Sequence, residues 1–376
     1  MPKTSLFGRA SWTIETETLR ATLLQCGGHL AEIVLKESED TNPLWVQSRP
    51  TIDSDTYDPA THGDIYGRTS ESRLLSGLAG HNLCFPFWGD PSPSEFAAGM
   101  TFHGETNIRR WLSVEECADG ITLEVELPES AIKLVRRWGA RGHVLHCESH
   151  AINLSAWDRP FAWCEHVTMG APFVESASVR FDASLGKGFV TGSSLGTNFK
   201  WPKGMGKCSE LPDFDLTVFS KEAHQNLVNS FLVEPGREWA FFTAFNRQFR
   251  LLFGYIFRRI DFPWLNVWET NDKQIRARAM EFSNTPHHGT MKTLISSPDL
   301  WGVPTYEWLH AHSTVSKQFI LFLHPVSADY RGTADVRIMP AAIEIVERTT
   351  GEVLEVPTRH ATHFTARPAN RPPSTR

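Results

Sequence analysis

Three short segments of the chain carry side chains that could transfer protons. His103 lies in the segment "TFHGE", His166 in "CEHVTMG" and Glu281 in "RAMEFS". Imidazole and carboxylate groups have pKa values that a folded protein can shift towards neutrality, so they are frequent general acids and bases. These residue types predict a proton-transfer site if the fold brings the three segments together.

Each of these residues also has a purely structural interpretation. His103 could be a turn residue before Gly104, and His166 could be a buried, hydrogen-bonded histidine on an apolar strand. Strand alternation places Glu165 on the face opposite His166, which predicts a structural role for Glu165. Glu281 follows an apolar segment, and an inward carboxylate there would be costly unless it were paired or used in chemistry.

Other motifs suggest competing chemistry. The segment "GSSLG" (192–196) matches a hydrolase nucleophile motif with Ser194 at its centre, but Pro and Gly residues follow where that motif requires a helix. Two pairs of histidines, His310 with His312 and His287 with His288, could bind a metal, but no carboxylate or cysteine stands at a supporting spacing. Cys164 lies near His166 with nothing to orient the two as a catalytic pair.

The elements that would position these residues read as β-strands. Period-two stretches separated by turn residues recur along the chain, whereas helical periodicity is nearly absent. Strand pairs are predicted for 18–25 with 29–35, for 132–138 with 144–152, for 239–245 with 249–257, and for 343–347 with 353–356. Met291–Ser296 and Ser70–Leu75 are short candidate helices. This succession predicts an all-β sandwich with antiparallel sheets.

The chain reads as a single domain over residues 1–356, followed by a basic tail. Two long polar stretches, 47–73 and 192–216, are predicted to be loops near a site. Residues 357–376 carry four arginines, no acidic residue and several prolines, so we expect this tail to be disordered.

Composition excludes some classes of function. The formal net charge is −6, which gives no electrostatic basis for binding nucleic acid. No apolar run approaches the length of a membrane span, and the N-terminus lacks the apolar core of a secretory signal. Six cysteines lie far apart without a C-x-x-C pair, as expected for reduced thiols. We therefore expect a cytoplasmic protein without membrane or nucleic-acid partners; its oligomeric state is not predicted.

Several segments together resemble the aldose 1-epimerase (galactose mutarotase) family, in the expected order over roughly residues 18 to 325. They include the opening "LRATLLQCGGHLAEIVL" with "NPLW", the proline-aromatic loop "CFPFWGDPSP" and the His–Gly pair at 103–104. The strand pair ending at Asn153, the Trp163-x-x-His166 segment and the strand of Glu281 follow. The resemblance implies a large twisted antiparallel β-sandwich, the galactose mutarotase-like supersandwich, whose curved face holds a sugar.

The resemblance also implies roles for three residues. Glu281 corresponds to the general base that takes the proton from the anomeric hydroxyl, and His166 to the general acid that protonates the ring oxygen. His103 corresponds to the second histidine, which binds or polarises the sugar. Ring opening, rotation and reclosure then exchange the anomers, a reaction that needs neither a metal nor a cofactor. The acid and the base would lie one sugar-width apart in an open pocket.

The sequence departs from the family where many members carry an Asn–Arg pair. Gly89–Asp90 stands there, so that Asp90, Arg109 or Arg110 contacts the sugar instead, or the substrate differs. Trp88 and Trp268 are candidate stacking surfaces, and Glu269 is a further candidate for the sugar pocket.

Three functions are compatible with these features. The first is a cofactor-independent sugar epimerase that interconverts α and β anomers, an isomerase of carbohydrate metabolism. The second is a carbohydrate-binding protein that kept the fold and lost the chemistry. The third, a phosphosugar epimerase, would require a cluster of Arg or Lys at the rim of the pocket.

Overall fold

The computed structural model describes residues 3–38, 41–117, 119–175, 178–191, 198–206 and 213–358. Ser194, Cys208 and residues 359–376 lie outside these ranges, so the predictions for the hydrolase motif and for most of the tail fall outside the described residues. The strands, in chain order, are β1 (Lys3–Leu6), β2 (Arg9–Glu15), β3 (Leu19–Leu24), β4 (Leu30–Leu35), β5 (His81–Cys84), β6 (Leu112–Cys117), β7 (Gly120–Leu127), β8 (Ile132–Arg141), β9 (Val144–Asn153), β10 (Arg159–Phe161), β11 (Cys164–Gly170), β12 (Val179–Ala183), β13 (Leu185–Val190), β14 (Asn198–Lys200), β15 (Lys203–Gly204), β16 (Phe214–Asp215), β17 (His224–Val233), β18 (Trp239–Asn246), β19 (Leu251–Arg258), β20 (Trp264–Asn271), β21 (Arg276–Ser283), β22 (Asp299–Leu300), β23 (Val303–Pro304), β24 (Glu307–Leu309), β25 (Thr314–Pro325), β26 (Thr333–Ile338), β27 (Ala342–Glu347) and β28 (Val353–Pro357).

Two large antiparallel sheets form the body of the fold, which confirms the predicted all-β sandwich. One sheet has eleven strands in the order β1-β2-β3-β4-β5-β11-β21-β20-β17-β13-β14, and the other has eight in the order β12-β18-β19-β25-β9-β8-β7-β6. Their facing sides contribute alternate residues to one large apolar core, as expected for stacked sheets. The first sheet is the one that carries His166 and Glu281.

The four predicted strand pairs are confirmed as β3–β4, β8–β9, β18–β19 and β27–β28. One turn differs from the prediction, because β8 continues to Arg141 and leaves only Gly142 and His143 between it and β9. Gly142 has a positive φ of 51°, which suits the tight two-residue turns that join twisted strands.

A third layer covers part of the eight-stranded sheet. Strands β26, β27 and β28 form a separate three-stranded sheet, and their inward residues pack on the outer face of the eight-stranded sheet in a second apolar cluster. Phe245 and Tyr330 meet edge to face within it at 4.9 Å between ring centroids. Strand β28 includes Pro357, one residue beyond the predicted boundary at residue 356.

Short helices occupy one of the predicted loops. The helices are α1 (Pro59–Tyr66), α2 (Ser72–Gly77), α3 (Pro93–Ala97) and α4 (Met291–Ser296), with 3-10 turns at Ser54–Thr56 and Thr106–Ile108. The prediction of a plain loop over 47–73 is therefore wrong, since α1 begins where Asp58 accepts a hydrogen bond from the backbone N–H of Ala60 and Pro59 occupies the first helical position. The candidate helix at Met291–Ser296 is confirmed as α4. Among the described residues, no helix has the length and apolar character needed to cross a membrane.

Candidate active site

Four polar side chains stand in one row across the eleven-stranded sheet. Asn82 on β5 lies opposite His166 on β11, His166 lies opposite Glu281 on β21, and Glu281 lies opposite Asn266 on β20. Directly opposed residues on antiparallel strands have their Cβ atoms about 4.5–5.5 Å apart, so the four side chains form a continuous polar row. The register of the sheet thus creates the site from segments far apart in the chain.

His166 and Glu281 are in direct contact, with 3.1 Å between Nε2 and Oε1. Burial raises the pKa of Glu281 well above its usual range. Burial, together with His288 and His81, lowers the pKa of His166 to about 3. Both shifts favour the neutral forms. We therefore interpret the contact as a hydrogen bond from the protonated Glu281 carboxyl to a neutral His166, and not as an ion pair.

Thr168 binds the other nitrogen of the His166 ring. Its hydroxyl lies 3.1 Å from Nδ1, two residues along the same strand face. A hydroxyl can donate or accept, so Thr168 can serve either tautomer of the imidazole. The ring can therefore exchange a proton at Nε2 without losing its partner at Nδ1.

His103 approaches this pair from a loop. Its ring centroid lies 5.6 Å from that of His166, and its Nδ1 accepts a hydrogen bond from the backbone N–H of Gly89 at 3.0 Å. The ring proton must then reside on Nε2. Burial, His288 and His166 lower the pKa of His103 well below 6.5, so His103 is a neutral donor through Nε2.

The backbone around His103 has an unusual conformation. His103 has a positive φ of 65°, and Gly104, at 83°, packs so closely that a Cβ there would clash with the carbonyl group of Phe85. Only glycine fits this position, which accounts for the His–Gly pair seen in the sequence. The close approach holds the His103 loop against the proline-aromatic loop, where Glu105 N–H donates to the carbonyl of Phe85.

The site is more enclosed than the predicted open pocket. Glu281 is 1% exposed and His103 5%, while the side chain of His166 is 13% exposed. The loop that follows β21 closes over them, since the N–H of Gly289 donates to the carbonyl of Trp88 and the ring of His288 packs on Trp88 and His103. The prediction that the acid and base are separated is also wrong, because adjacent strands place them side by side.

Several buried polar atoms around the pair have no hydrogen-bond partner among the described residues. They are Glu281 Oε2, Asn82 Oδ1, Asn266 Oδ1 and the indole N–H of Trp88. Leaving a buried acceptor unpaired costs about 1–3 kcal/mol, and such costs are typically retained where a ligand supplies the partner. Three of the four atoms are acceptors, which matches a ligand that donates several hydroxyl protons.

A second histidine–carboxylate pair lies on the opposite face of the same strands. Glu165 accepts hydrogen bonds from Arg136 at 2.9 Å and from the indole N–H of Trp163 at 3.0 Å, and its Oε2 lies 2.8 Å from Nε2 of His81. Tyr255 approaches the other nitrogen of His81 at 3.1 Å. Burial opposes ionisation of Glu165, but Arg136 and His81 outweigh it and lower the pKa of the carboxyl. Glu165 thus faces the core, as strand alternation predicted.

The structure separates the two tryptophan candidates. Trp88 is buried and its ring stacks near His103, at 6.5 Å between centroids, so it supports the site from behind and presents little free surface. Trp268 is partly exposed on the same sheet face as Asn266, two residues further along β20. Of the two, Trp268 is better placed to offer a stacking surface.

Glu269 and Arg109, both predicted as sugar contacts, have described partners outside the row. Glu269 is adjacent to Trp268 and therefore points to the opposite face, where it forms a buried ion pair with Arg278 and contacts His224 at 3.3 Å. Arg109 binds Glu105 and Glu129 at 3.1 and 3.2 Å.

Asp90 and Arg110 also have other described partners. Asp90 is exposed and accepts a hydrogen bond from Ser70 at 3.2 Å. Arg110 binds Asp53 and Asp55, each at 2.9 Å. Among the described residues, no Arg or Lys contributes to the pKa shift of Glu281, which burial alone raises.

Asn82, Asn266 and His288 belong to the site, although no sequence motif predicts them there. The two asparagines become neighbours of His166 and Glu281 only through strand register, which sequence periodicity does not fix. His288 was considered only as a metal ligand beside His287. Its packing on His103, at 5.3 Å between ring centroids, depends on the course of the loop after β21.

Two cavities in the described part of the chain lie elsewhere. One of about 480 Å³ lies along β6 to β9 and includes Cys117, Arg137 and His146 in its lining. The other, of about 290 Å³, lies near β12 and the three-stranded sheet. We assign the candidate active site by chemistry, because the enclosed row joins a carboxyl and two histidines with unpaired buried acceptors.

The arrangement of the two sheets is shared with known structures. A galactose mutarotase-like protein from Clostridium acetobutylicum superimposes with a TM-score of 0.60 at 13% identity, over 86% of this chain and 98% of that one. The chain has the galactose mutarotase-like fold. An aldose epimerase homologue from C. elegans gives a TM-score of 0.57 at 14% identity, over 85% and 100% of the two chains. A galactose mutarotase-like protein from Lactobacillus casei gives 0.56 at 14% identity, over 84% and 100%.

The relationship is visible in structure and not in sequence comparison. No family model matches the chain, and no curated protein matches its sequence. At these identities the galactose mutarotase-like fold carries over, whereas activity has to be argued from the site itself.

Proposed function

We propose that this protein is a cofactor-independent aldose 1-epimerase that exchanges the α and β anomers of a sugar. The observation that carries the proposal is the buried contact between Glu281 and His166. It joins a general base and a general acid on adjacent strands, with the free Oε2 of Glu281 available to a ligand. The anomeric hydroxyl and the ring oxygen are attached to one carbon, so two side chains in contact can serve both oxygens.

The protons balance within this pair. Moving the shared proton from Glu281 to His166 gives a carboxylate and an imidazolium with no change in total charge. The carboxylate then takes the proton of the C1 hydroxyl, His166 gives its proton to the ring oxygen, and the bond between C1 and the ring oxygen breaks. The sugar becomes an open-chain aldehyde, which can rotate about C1–C2 and close on its other face.

The proton arrangement after ring opening is the one that burial favours. Once both transfers are complete, Glu281 is protonated and His166 is neutral, the forms towards which their pKa values are shifted. These are also the resting forms, so the pair is regenerated after each ring opening, and the transient carboxylate–imidazolium pair is the state that burial disfavours. The low polarity around the pair also strengthens each hydrogen bond made during the transfer.

His103 would orient the sugar as a neutral donor. Its Nε2–H can bind a ring or hydroxyl oxygen, while the backbone of Gly89 holds its Nδ1. Asn82 and Asn266 offer unpaired carbonyl oxygens to hydroxyl groups on either side of the pair. A neutral polyol satisfies these acceptors, and the raised pKa of the buried Glu281 carboxyl, which has no cation among its causes, favours a neutral sugar as the substrate.

The proposal predicts that the protein accelerates the optical rotation change of freshly dissolved α-glucose or α-galactose. Glu281→Gln should slow the catalysed rate by about 10²–10⁴, because the amide keeps the shape and hydrogen-bonding capacity but cannot remove a proton. Polarimetry measures this directly, and titration calorimetry with the same sugar measures binding. The matched control is Glu126→Gln, an exposed glutamate on β7, which should leave the rate unchanged.

The alternative function, carbohydrate binding without chemistry, is supported by the unpaired acceptors of Asn82 and Asn266. It predicts that the protein binds sugar yet leaves the rate of anomer exchange at that of buffer. Wild-type protein that binds these sugars without accelerating exchange would replace the epimerase proposal with this alternative.

A further inference from the structure

Three arginines border a second cavity, whose lining includes neither His166 nor Glu281. The cavity has a volume of about 290 Å³ and lies between β12, the ends of β17 and β18 and the three-stranded sheet. Arg180, Arg237 and Arg348 line it together with Ser184, Thr217 and Trp201. The lining also includes one carboxylate, Glu234, and two further carboxylates, Asp182 and Asp335, bind these arginines without lining the cavity.

A buried carboxylate fixes two of these arginines. Asp182 is 1% exposed, and it binds Nε of Arg180 at 3.1 Å and Nη2 of Arg348 at 2.8 Å. Asp182 also accepts the backbone N–H of Thr333 at 2.8 Å, which ties the loop before β26 to β12. The two guanidinium groups are therefore held in place before any ligand arrives, which lowers the entropic cost of binding.

The third arginine is held from the other side. Nε of Arg237 binds Glu234 at 2.7 Å, and its Nη1 binds Asp335 at 2.8 Å. Its guanidinium also lies 5.6 Å from the centre of the Phe241 ring. Phe241 is itself part of the cavity wall, so this arginine has an apolar surface beneath it.

Each guanidinium keeps N–H groups outside its described hydrogen bonds. Arg180 donates its described hydrogen bonds from Nε, Arg348 from Nη2, and Arg237 from Nε and Nη1. A guanidinium has five N–H donors in a planar fork, so a carboxylate on one edge leaves the other edge for a second anion. Three such groups around one cavity form a site for an oxyanion.

We propose that this cavity binds the phosphate group of a small phosphorylated metabolite. A carboxylate has two oxygens and would be saturated by two guanidinium groups, whereas a phosphate monoester has three terminal oxygens for three. The volume is close to the lower end of small-molecule sites, roughly 300 Å³, and leaves room beside the phosphate for an organic group that contacts Trp201.

This site is separate from the proposed epimerase chemistry. Its lining comes from β12, β18 and the three-stranded sheet, and none of the lining residues belongs to the row of His166 and Glu281. Phosphate binding at this cavity can therefore be tested independently of anomer exchange. A phosphorylated ligand bound here would be an additional ligand and not the substrate of the acid/base pair.

Titration calorimetry with the full-length protein tests the proposal, using inorganic phosphate and glucose 6-phosphate at constant ionic strength, with glucose as the uncharged comparison. We expect binding of both phosphate compounds and none of glucose at this site. Tighter binding of the ester than of phosphate would identify a phosphorylated metabolite, and equal binding would identify free phosphate as the ligand. Absence of binding by either compound at millimolar concentration would overturn the proposal.

Two substitutions at one exposed position separate charge from shape. Ala334 lines the cavity and is exposed, so it can be replaced without removing an arginine. Ala334→Glu should weaken phosphate binding by about tenfold or more, because like charges that face each other are unfavourable. Ala334→Gln has nearly the same shape without the charge and should bind almost as wild type. Equal affinity of the two variants would contradict the proposal.

A second pair of variants tests the arginines themselves. Arg237→Gln should weaken phosphate binding by about tenfold, as expected for the loss of one charge-assisted contact. Arg337→Gln is the matched control, since Arg337 lies on β26 and binds Asp335 and Glu344 without bordering the cavity. Thermal unfolding without phosphate shows whether each variant is folded. Folded Arg237→Gln protein with unchanged affinity would count against the site.

Discussion

Two histidine–glutamate pairs lie back to back on the same sheet and have opposite ionisation. Glu165 with His81 faces the core between the sheets, and Glu281 with His166 faces away from it. The four side chains are mostly buried. The two pairs share strand β11, on which Glu165 and His166 are consecutive residues. The pKa of Glu165 is lowered, whereas that of Glu281 is raised.

The difference comes from one cation. Arg136 reaches across the core from β8 and contacts both oxygens of Glu165 at 2.9 and 3.0 Å, while burial of Glu281 is not offset by any arginine or lysine among the described residues. A buried carboxylate with a guanidinium partner is ionised and fixed, and one without a cation keeps its proton. Identical residue types therefore form a fixed ion pair on one face and a neutral pair on the other, and we propose that the neutral pair transfers protons.

The largest expected effect concerns the core pair. Arg136→Met should destabilise the fold by about 3–5 kcal/mol, because it leaves Glu165 as an uncompensated buried charge. Unfolding in urea, followed by intrinsic fluorescence, measures the loss. Any remaining folded protein should retain the anomer-exchange rate per folded molecule, since Arg136 does not contact the site face.

A double variant serves as the control for the core pair. Combining Arg136→Met with Glu165→Gln removes both charges and should recover much of the lost stability, as found when buried ion pairs are replaced together. If the single Arg136→Met variant were as stable as wild type, the distinction between the two pairs would fail.

A smaller effect of opposite sign is expected for Glu281. The pKa of this carboxyl is higher in the folded than in the unfolded state. Its contribution to the free energy of unfolding is therefore fully present below the unfolded-state pKa of about 4.3 and is lost as the pH rises through the folded-state pKa. Glu281→Gln should therefore be more stable than wild type near neutral pH, by on the order of 1 kcal/mol for each unit of pKa shift, and similar to it near pH 4. Urea unfolding at several pH values measures this difference. Greater stability of the wild type at neutral pH would show that Glu281, like Glu165, is an ionised carboxylate that stabilises the fold.

The smallest expected effect concerns the partner of His166. Thr168→Val removes the hydroxyl at Nδ1, and a hydrogen bond contributes about 0.5–1.5 kcal/mol, so anomer exchange should slow by about two- to tenfold. The pH profile of the rate should shift as well, because the imidazole loses the partner that serves both tautomers. Thr168→Ser keeps the hydroxyl and should retain most of the rate. A Thr168→Val enzyme with unchanged rate and pH profile would show that Thr168 does not position the ring.

Strand alternation predicted much of this comparison from the sequence. It predicts that Glu165 and His166 lie on opposite faces. The prediction that Trp268 and Glu269 both line the sugar pocket did not apply this rule, which puts these adjacent residues on opposite faces. The sheets and most hairpins were likewise predictable, because period-two patterns and turn residues are local signals.

The rest depends on distant contacts. Asn82 and Asn266 join the site through register across four strands, and Arg136 reaches Glu165 from the other sheet. No local pattern encodes either contact. The burial of Glu281 similarly depends on the contact between the loop after β21 and the proline-aromatic loop, where the N–H of Gly289 donates to the carbonyl of Trp88. The helix at Pro59–Tyr66 had a local signal in Asp58–Pro59 that the loop prediction did not use.

Infrared difference spectroscopy tests the central claim most directly, because a protonated carboxyl group and a carboxylate absorb at different frequencies. The pH is set one to two units above the ordinary glutamate pKa of about 4.3. The account predicts a protonated-carboxyl band in the wild type that Glu281→Gln removes and Glu126→Gln leaves in place. Spectra in which Glu281→Gln removes only carboxylate absorption would show that Glu281 is ionised, and the contrast between the two pairs would be contradicted.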